Sequence, residues 1–370
     1  MSAKSIRSPI DHRRRSCRVF LAVVVGLTIA LAACLPPGTG ATGDKTTLKA
    51  IVAGSLLVPF QALEQEYERQ NPGIDLQIEG HGSVQVIRNV TELGKSADIV
   101  AVADAQLIPL MMYPATVPSS TVPFADWSIK FSTNRLGIAY QPASAYRDEI
   151  NAENWPDIFA RPDVTIGLAD PRIDAMGYRS LMVLQMAEHY YRDDAMFERI
   201  IGSAINPAMS IIREEDNTTI KVPEVFRSTN PRVKLRSYSI QLMALLESGD
   251  LDYSFEYESV AKQRGLGFLA LPEEVDFSAP QWESLYQRVA VQLDFQRFAT
   301  LLPVFGGTQI MYGLSIPGNA PRAAEAADFV EFLLGESGQR IFAQAWQPLL
   351  AAPSCDNVDN LPQRLQALFR

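Results

Sequence analysis

The sequence predicts an α/β protein of two lobes, each a mostly parallel sheet flanked by helices, with two crossover strands joining them. Three observations carry this expectation. A strand-helix alternation runs through residues 48–103, the same alternation restarts near residue 164, and the 337 residues after position 33 suit about two domains.

The first alternation opens with LKAIVA at 48–53, a short apolar run, followed by Leu56, Phe60, Leu63 and Tyr67 on one helical face. Asn71-Pro72-Gly73 stops that helix. Ile74, Leu76 and Ile78 then alternate as a half-buried strand, and Gly80-His81-Gly82-Ser83 opens a second helix whose inner face is Val86, Val90 and Leu93. Gly94 suits a left-handed cap, and residues 98–103 form a buried strand, so the order predicts parallel pairing. In the second alternation, VTIGLA at 164–169 precedes a helix over 177–191, and VKLR at 233–236 leads to a helix ending near Gly249 and a strand at 251–257. Residues 135–140 and 308–316 are extended apolar runs flanking this unit and are read as the crossings. Residues 48–134 with 312–370 make the first lobe, including helices near 323–334 and 338–346, and residues 135–311 make the second.

The amino-terminal 33 residues read as a leader. Lys4, Arg7, Arg13, Arg14, Arg15 and Arg18 stand against Asp11, ahead of 15 uncharged residues at 19–33, short of the ~20 that span a bilayer. Leu31-Ala32-Ala33-Cys34 matches a bacterial lipobox, which places cleavage before Cys34 and a lipid on it. Residues 34–47 are rich in Pro, Gly and Thr and read as a tether with a reach of about 20 Å, holding a soluble body near a membrane. With Cys17 in the leader and Cys34 lipidated, Cys355 has no partner for a disulfide. The net charge of −9 and pI near 5.0 leave no basic footprint for nucleic acid.

Ligands of open α/β sheets bind beyond the carboxyl ends of strands, where helix N-termini favour anions. Four strand-to-helix junctions carry small or hydroxyl residues: Ala53-Gly54-Ser55, Gly82-Ser83, the loop at 174–178, and Ser237-Tyr238-Ser239. Each alone reads as an ordinary cap. A site requires all four to converge.

Over 48–346 the chain resembles the tungstate- and molybdate-binding receptors of ABC importers. The resemblance rests on AGSLLVPF, GSVQVIRNVTELGKSADIVAVAD, MMYP, NWPDIFARPDV, DPRIDAMGYRSLMVLQMAEHYY and ALLESGDLDYSFEYESVAKQ. It implies the type II periplasmic binding protein fold and an oxyanion held by Gly54, Ser55, Ser83, Asp174, Ser239 and Tyr257. It also implies delivery to a permease and ATPase, with no cofactor and a monomeric receptor. One position departs. The family has a Glu where this chain has Ser239, and there that Glu and the loop Asp add two carboxylate oxygens to the metal of the anion. Here only Asp174 remains as a possible ligand of that metal, and Ser239 donates instead. This leaves room for retuning to another oxyanion such as hydrogen phosphate. A solvated loop acid or helix cap is the other reading of Asp174.

Enzymatic arrangements are sparse. His81 lies in a Gly-rich junction, His189 has no partner at metal-ligand spacing, and Glu214-Glu215 and Glu273-Glu274 read as solvated pairs. Met111 to Pro114 and Trp127 read as packing. A sensory lipoprotein uncoupled from transport is the remaining class.

Overall fold

The computed structural model describes residues 45–294 and 304–370. The leader, Cys34 and nearly all of the tether lie outside the described residues. Strand β1 (Thr46–Ala53) opens the first lobe, so the last two residues of the expected tether already belong to a sheet. After a tight turn at Gly54–Leu56, helix α1 (Leu57–Gln70) buries Phe60, Leu63 and Tyr67, the i, i+3, i+7 stripe seen in the sequence. Strand β2 (Ile74–His81), helix α2 (Ser83–Thr91) and strand β3 (Ile99–Val102) complete the unit. Both β2 and β3 pair with β1 in parallel, as βαβ crossovers require. Gly94 has φ +64°, the left-handed region a Gly enters at little cost.

The chain then passes helix α3 (Leu107–Met111) and strand β4 (Ile129–Thr133) and enters the second lobe as β5 (Leu136–Tyr140). There helix α4 (Trp155–Ala160), strand β6 (Ile166–Ala169) and the long helix α5 (Ala175–Tyr191) follow. Next come helix α6 (Met196–Ile200), strands β7 (Ile205–Asn206), β8 (Ser210–Glu214), β9 (Asn217–Pro223), β10 (Arg227–Ser228) and β11 (Val233–Arg236), then helix α7 (Ser239–Ser248). Gly249 caps α7 at φ +81°. Strand β12 (Tyr253–Tyr257), helix α8 (Glu258–Gln263), strand β13 (Gly267–Ala270) and the short helices α9 (Glu273–Asp276) and α10 (Glu283–Tyr286) lead to β14 (Val289–Asp294) and β15 (Val304–Gly306). The return to the first lobe runs through β16 (Met311–Ser315), helices α11 (Ala323–Leu334) and α12 (Glu336–Gln344), edge strand β17 (Leu349–Cys355) and helix α13 (Gln363–Gln366).

The first lobe is a six-stranded sheet ordered β17-β4-β16-β3-β1-β2, and the second a five-stranded sheet ordered β11-β6-β12-β5-β13. The expectation of mostly parallel sheets needs correction. Parallel pairing is confined to β2-β1-β3 and β11-β6-β12, while the remaining pairs of these two sheets are antiparallel. The cause is connectivity: β4, β5 and β16 are linked across the lobes by short segments, not by helical crossovers. The expected crossing runs are themselves interior strands, β5 and β16. The chain changes lobe just before each, at 134–135 and 307–310, where the Thr133 hydroxyl donates to Ile310 O at 2.7 Å and lays the two passages side by side.

A four-stranded sheet, β15-β14-β9-β8, lies against α5 and has no counterpart in the sequence reading. Its β8–β9 hairpin is half exposed and turns at Glu215 with φ +49°, where short polar alternation hides the strands. Edge strand β17 was equally hidden, because Pro353 argues against a strand anywhere but an edge.

Aromatic rings tie α1, α11 and α12 to the first sheet. Phe329 sits 6.1 Å from Phe60 and 5.2 Å from Tyr67, and Phe342 sits 5.8 Å from Phe131. Phe329 is fully buried. Phe329→Ala is expected to cost about 3–5 kcal/mol in urea unfolding, moving the midpoint with the slope unchanged.

Candidate functional site

All four junctions meet. One cleft between the lobes is lined by Ala53, Gly54, Ser55, His81, Ser83, Ala103, Asp174, Tyr238, Ser239, Ile240 and Tyr257, so each of the six residues singled out in the sequence reaches it. The starts of the 54–56 turn and of α2 come from one lobe, and those of α5 and α7 from the other. First-turn N–H groups have no acceptor within their own helix, and the helix dipoles add positive potential. The cavity volume is about 10 Å³, on the order of a single water molecule. A cleft this tight suits a small compact group, not a sugar or peptide.

Closure depends on a contact between backbones. Gln85 N donates to Ile173 O across the lobes at 3.2 Å. A Cβ on Gly82 would lie 2.3 Å from that same Ile173 oxygen and 3.0 Å from Asp174 Cα, so a side chain at position 82 forbids the approach. Two further polar contacts span the gap: Tyr178 donates to Asp104 Oδ2 at 2.6 Å, and Arg179 Nη1 donates to Ala103 O at 2.8 Å.

Asp174 is the N-cap of α5, accepting from Met176 N at 3.0 Å through Oδ1. Its Oδ2 accepts from Ser239 N at 2.8 Å, which pins the start of α7. The acid is thus both a cap and a cleft residue, and it is buried, not solvated. Burial pushes its pKa up to about 6, against the two N–H donors that favour the charge.

The hydroxyls are backed by a second layer that sequence reasoning missed. Tyr312 donates to Ser55 Oγ at 3.0 Å, Ala103 N donates to Ser83 Oγ at 3.0 Å, and Arg179 Nη1 donates to Tyr257 Oη at 2.6 Å. Each of these oxygens accepts from behind, which leaves its own proton for a group in the cleft. Burial works against the Arg179 charge, but Tyr257 and Asp104 outweigh it and raise the guanidinium above its ordinary range. Asp104 Oδ2 is 3.5 Å from Arg179 Nη2, so the pair adds little net charge to the site. Arg179 and Tyr312 lie in a helical run and a strand, where nothing in the pattern marks them; the packing of α5 against β12 exposes the one, and the contacts of β16 with Ser55 and Tyr257 the other.

Of the other candidates, His81 lines the cleft with its Nε2 2.6 Å from Glu79 Oε1, and His189, Glu214 and Glu215 are exposed. Met112 and Trp127 are buried in the core, as read.

Over residues 48–345 the chain matches the family described as bacterial extracellular solute-binding protein. It belongs to that family. Among its relatives, the molybdate/tungstate-binding protein WtpA of Pyrococcus abyssi is 36% identical over 93% of this chain and 96% of its own length. WtpA of Thermococcus kodakarensis is 35% identical over 96% and 97%. Among solved structures, the periplasmic molybdate-binding protein of Azotobacter vinelandii superposes with a TM-score of 0.50 at 14% identity, covering 82% of this chain and 99% of that one. This structural likeness bears on the fold, the two-lobed architecture of periplasmic receptors, and the family is one of exported solute-binding proteins.

Two outcomes test the geometry. Gly82→Val is expected to hold the lobes apart, giving a larger radius of gyration by solution X-ray scattering while Tm moves by no more than about 2–4 °C. Because the folded pKa of Asp174 lies above its unfolded value, the stability linked to its neutral form is present below about pH 4 and lost as pH rises through about 6. Urea unfolding at pH 5 and pH 7 should therefore show a decline in the wild type that Asp174→Asn reduces.

Proposed function

We propose that the protein is an extracytoplasmic receptor that captures a tetrahedral oxyanion, tungstate and also molybdate, between its lobes and delivers it to an ABC permease and ATPase. The observation that carries this reading is the convergence of helix N-termini from both lobes, with the hydroxyls of Ser55, Ser83, Ser239 and Tyr257, on one small cleft. Such a site binds an anion by N–H and O–H donors and needs no cationic side chain at its wall. The named WtpA relatives support the choice of ligand. In this reading the protein binds and does not catalyse, acts as a monomer, and is held at the membrane by a lipid on Cys34.

The ligand bridges donors from both lobes and so favours the closed state, which is the form an importer reads. Residues 48–134 with 312–370 and residues 135–311 act as the two moving bodies. Asp174 sets selectivity. A carboxylate beside an oxyanion repels it unless the anion supplies a metal centre or a proton. Ser239 and the raised pKa of Asp174 also favour a second reading, a site retuned to a protonated anion such as hydrogen phosphate.

Calorimetric titration of the purified protein with tungstate, molybdate, sulfate and phosphate separates these readings. Tungstate and molybdate are expected to bind and sulfate to fail, with Asp174→Ala weakening tungstate by about 100-fold, roughly 2.7 kcal/mol. Binding of phosphate alone means retuning. Silence toward all four anions overturns the receptor reading.

A further inference from the structure

Strand β12 carries a second acid that lies outside the cleft lining. All five of its residues are buried, and they alternate between two faces. Tyr257 reaches the cleft, whereas Ser254 and Glu256 share the opposite face, where Ser254 Oγ lies near the side chain of Leu242 of α7 at Gly167. Glu256 is 0% exposed. Its Oε1 accepts from Tyr257 N at 2.8 Å, and its Oε2 has no hydrogen-bond partner within ordinary distance. The Ser239 hydroxyl, the charge of Asp174 and the guanidinium of Arg264 act on this carboxyl. Glu256 thus lies near Ser239 beneath the cleft wall, on the strand that α7 packs against.

We propose that Glu256 is the second acid of the anion site, a positioning residue that acts through Ser239 and must carry a proton for a doubly charged anion to be held. This rests on the oxyanion-receptor reading above and adds a residue to it. With its proton, Glu256 donates to Ser239 Oγ, and the Ser239 O–H turns to the cleft and donates to the anion. Without it, the carboxylate accepts the Ser239 proton, and the hydroxyl shows the anion only lone pairs. A dianion is also repelled by the buried Glu256 carboxylate, which cannot reach the metal of the anion. Burial raises the Glu256 pKa to about 8, the Tyr257 N–H opposing and Asp174 adding to the rise. Below that pH the proton is already in place. Above it, each anion bound takes one proton from the buffer onto Glu256, and no other bond changes.

Facing Glu256 are Asp174 at the start of α5, Tyr257 on its own strand, and Arg264 after α8, whose guanidinium is paired with Glu247 at 2.8 Å. Burial holds Asp174 up at about 6 and Tyr257 well above its ordinary range, while the Arg264 guanidinium lowers Glu256. The arrangement also accounts for Ser239. Where the resemblance implies a Glu at the cleft wall, this chain has a short hydroxyl with a buried carboxyl beneath it. At that depth the acid governs a donor and does not reach the metal of the anion.

The test is calorimetry with sodium tungstate, a full dianion throughout the range, at pH 7 and pH 9 in pairs of buffers that differ in ionisation enthalpy. The wild type should take up about one proton per tungstate at pH 9 and about a tenth of one at pH 7, and its affinity should fall about tenfold per pH unit above 8. Glu256→Gln, a neutral isostere, should take up none and keep a flat affinity from pH 7 to pH 9.5. Equal proton counts and equal pH profiles in the two proteins overturn the proposal while leaving the receptor reading intact. No tungstate binding by the wild type at any pH overturns both. If Glu256→Gln fails to fold, the wild-type proton count at pH 9 still decides, since a value of zero is incompatible with the proposal.

Discussion

Everything in the closed molecule depends on one place where two backbones touch. Gly82 at the head of α2 meets Ile173 ahead of α5 at a separation that leaves no room for a Cβ. That contact brings helix starts from opposite lobes within reach of one small group. The polar links beside it, Tyr178 to Asp104 and Arg179 to Ala103, are buried and directional, so they fix orientation as well as distance. A helix N-terminus alone is a common feature; gathering several around a volume this small is what gives them chemical meaning.

The electrostatic design is indirect. The cleft wall carries hydroxyls and N–H groups, while ionisable groups sit behind it: Arg179 beneath Tyr257, Asp104 beside Arg179, Glu256 near Ser239. Charge placed one layer back orients a dipole and does not meet the ligand at full strength, which tunes affinity without trapping the solute. Asp174 is the exception. It lies at the wall, yet both its oxygens are engaged by the N–H groups of Met176 and Ser239, so its charge is spread into the starts of two helices.

Much of this was legible in the sequence because it follows local rules. The stripe of Phe60, Leu63 and Tyr67, the stop at Asn71-Pro72-Gly73 and the small residues at strand ends mark helices, turns and junctions without reference to the rest of the chain. Helix α11 spans the expected residues for the same reason. What escaped was whatever depends on contacts distant in sequence. Glu256 looks like a polar member of an alternating strand, and only the packing of α7 over its face makes it a buried acid. The β8–β9 hairpin and β17 escaped because partly exposed edges carry weak apolar periodicity. The antiparallel pairs escaped because strand direction is set by where the chain comes from.

The two passages between lobes, at 134–135 and 307–310, run beside one another and are tied by the Thr133 hydroxyl. A body tethered by a single strand swivels freely about it. One tethered by two adjacent strands loses the twisting freedom and keeps a single bend, like the spine of a book. Opening is then one coordinate, not three, and the same coordinate parts Gly82 from Ile173, Tyr178 from Asp104 and Arg179 from Ala103. Contacts that break along a shared coordinate break together, so the molecule divides sharply between open and shut and spends little time half closed.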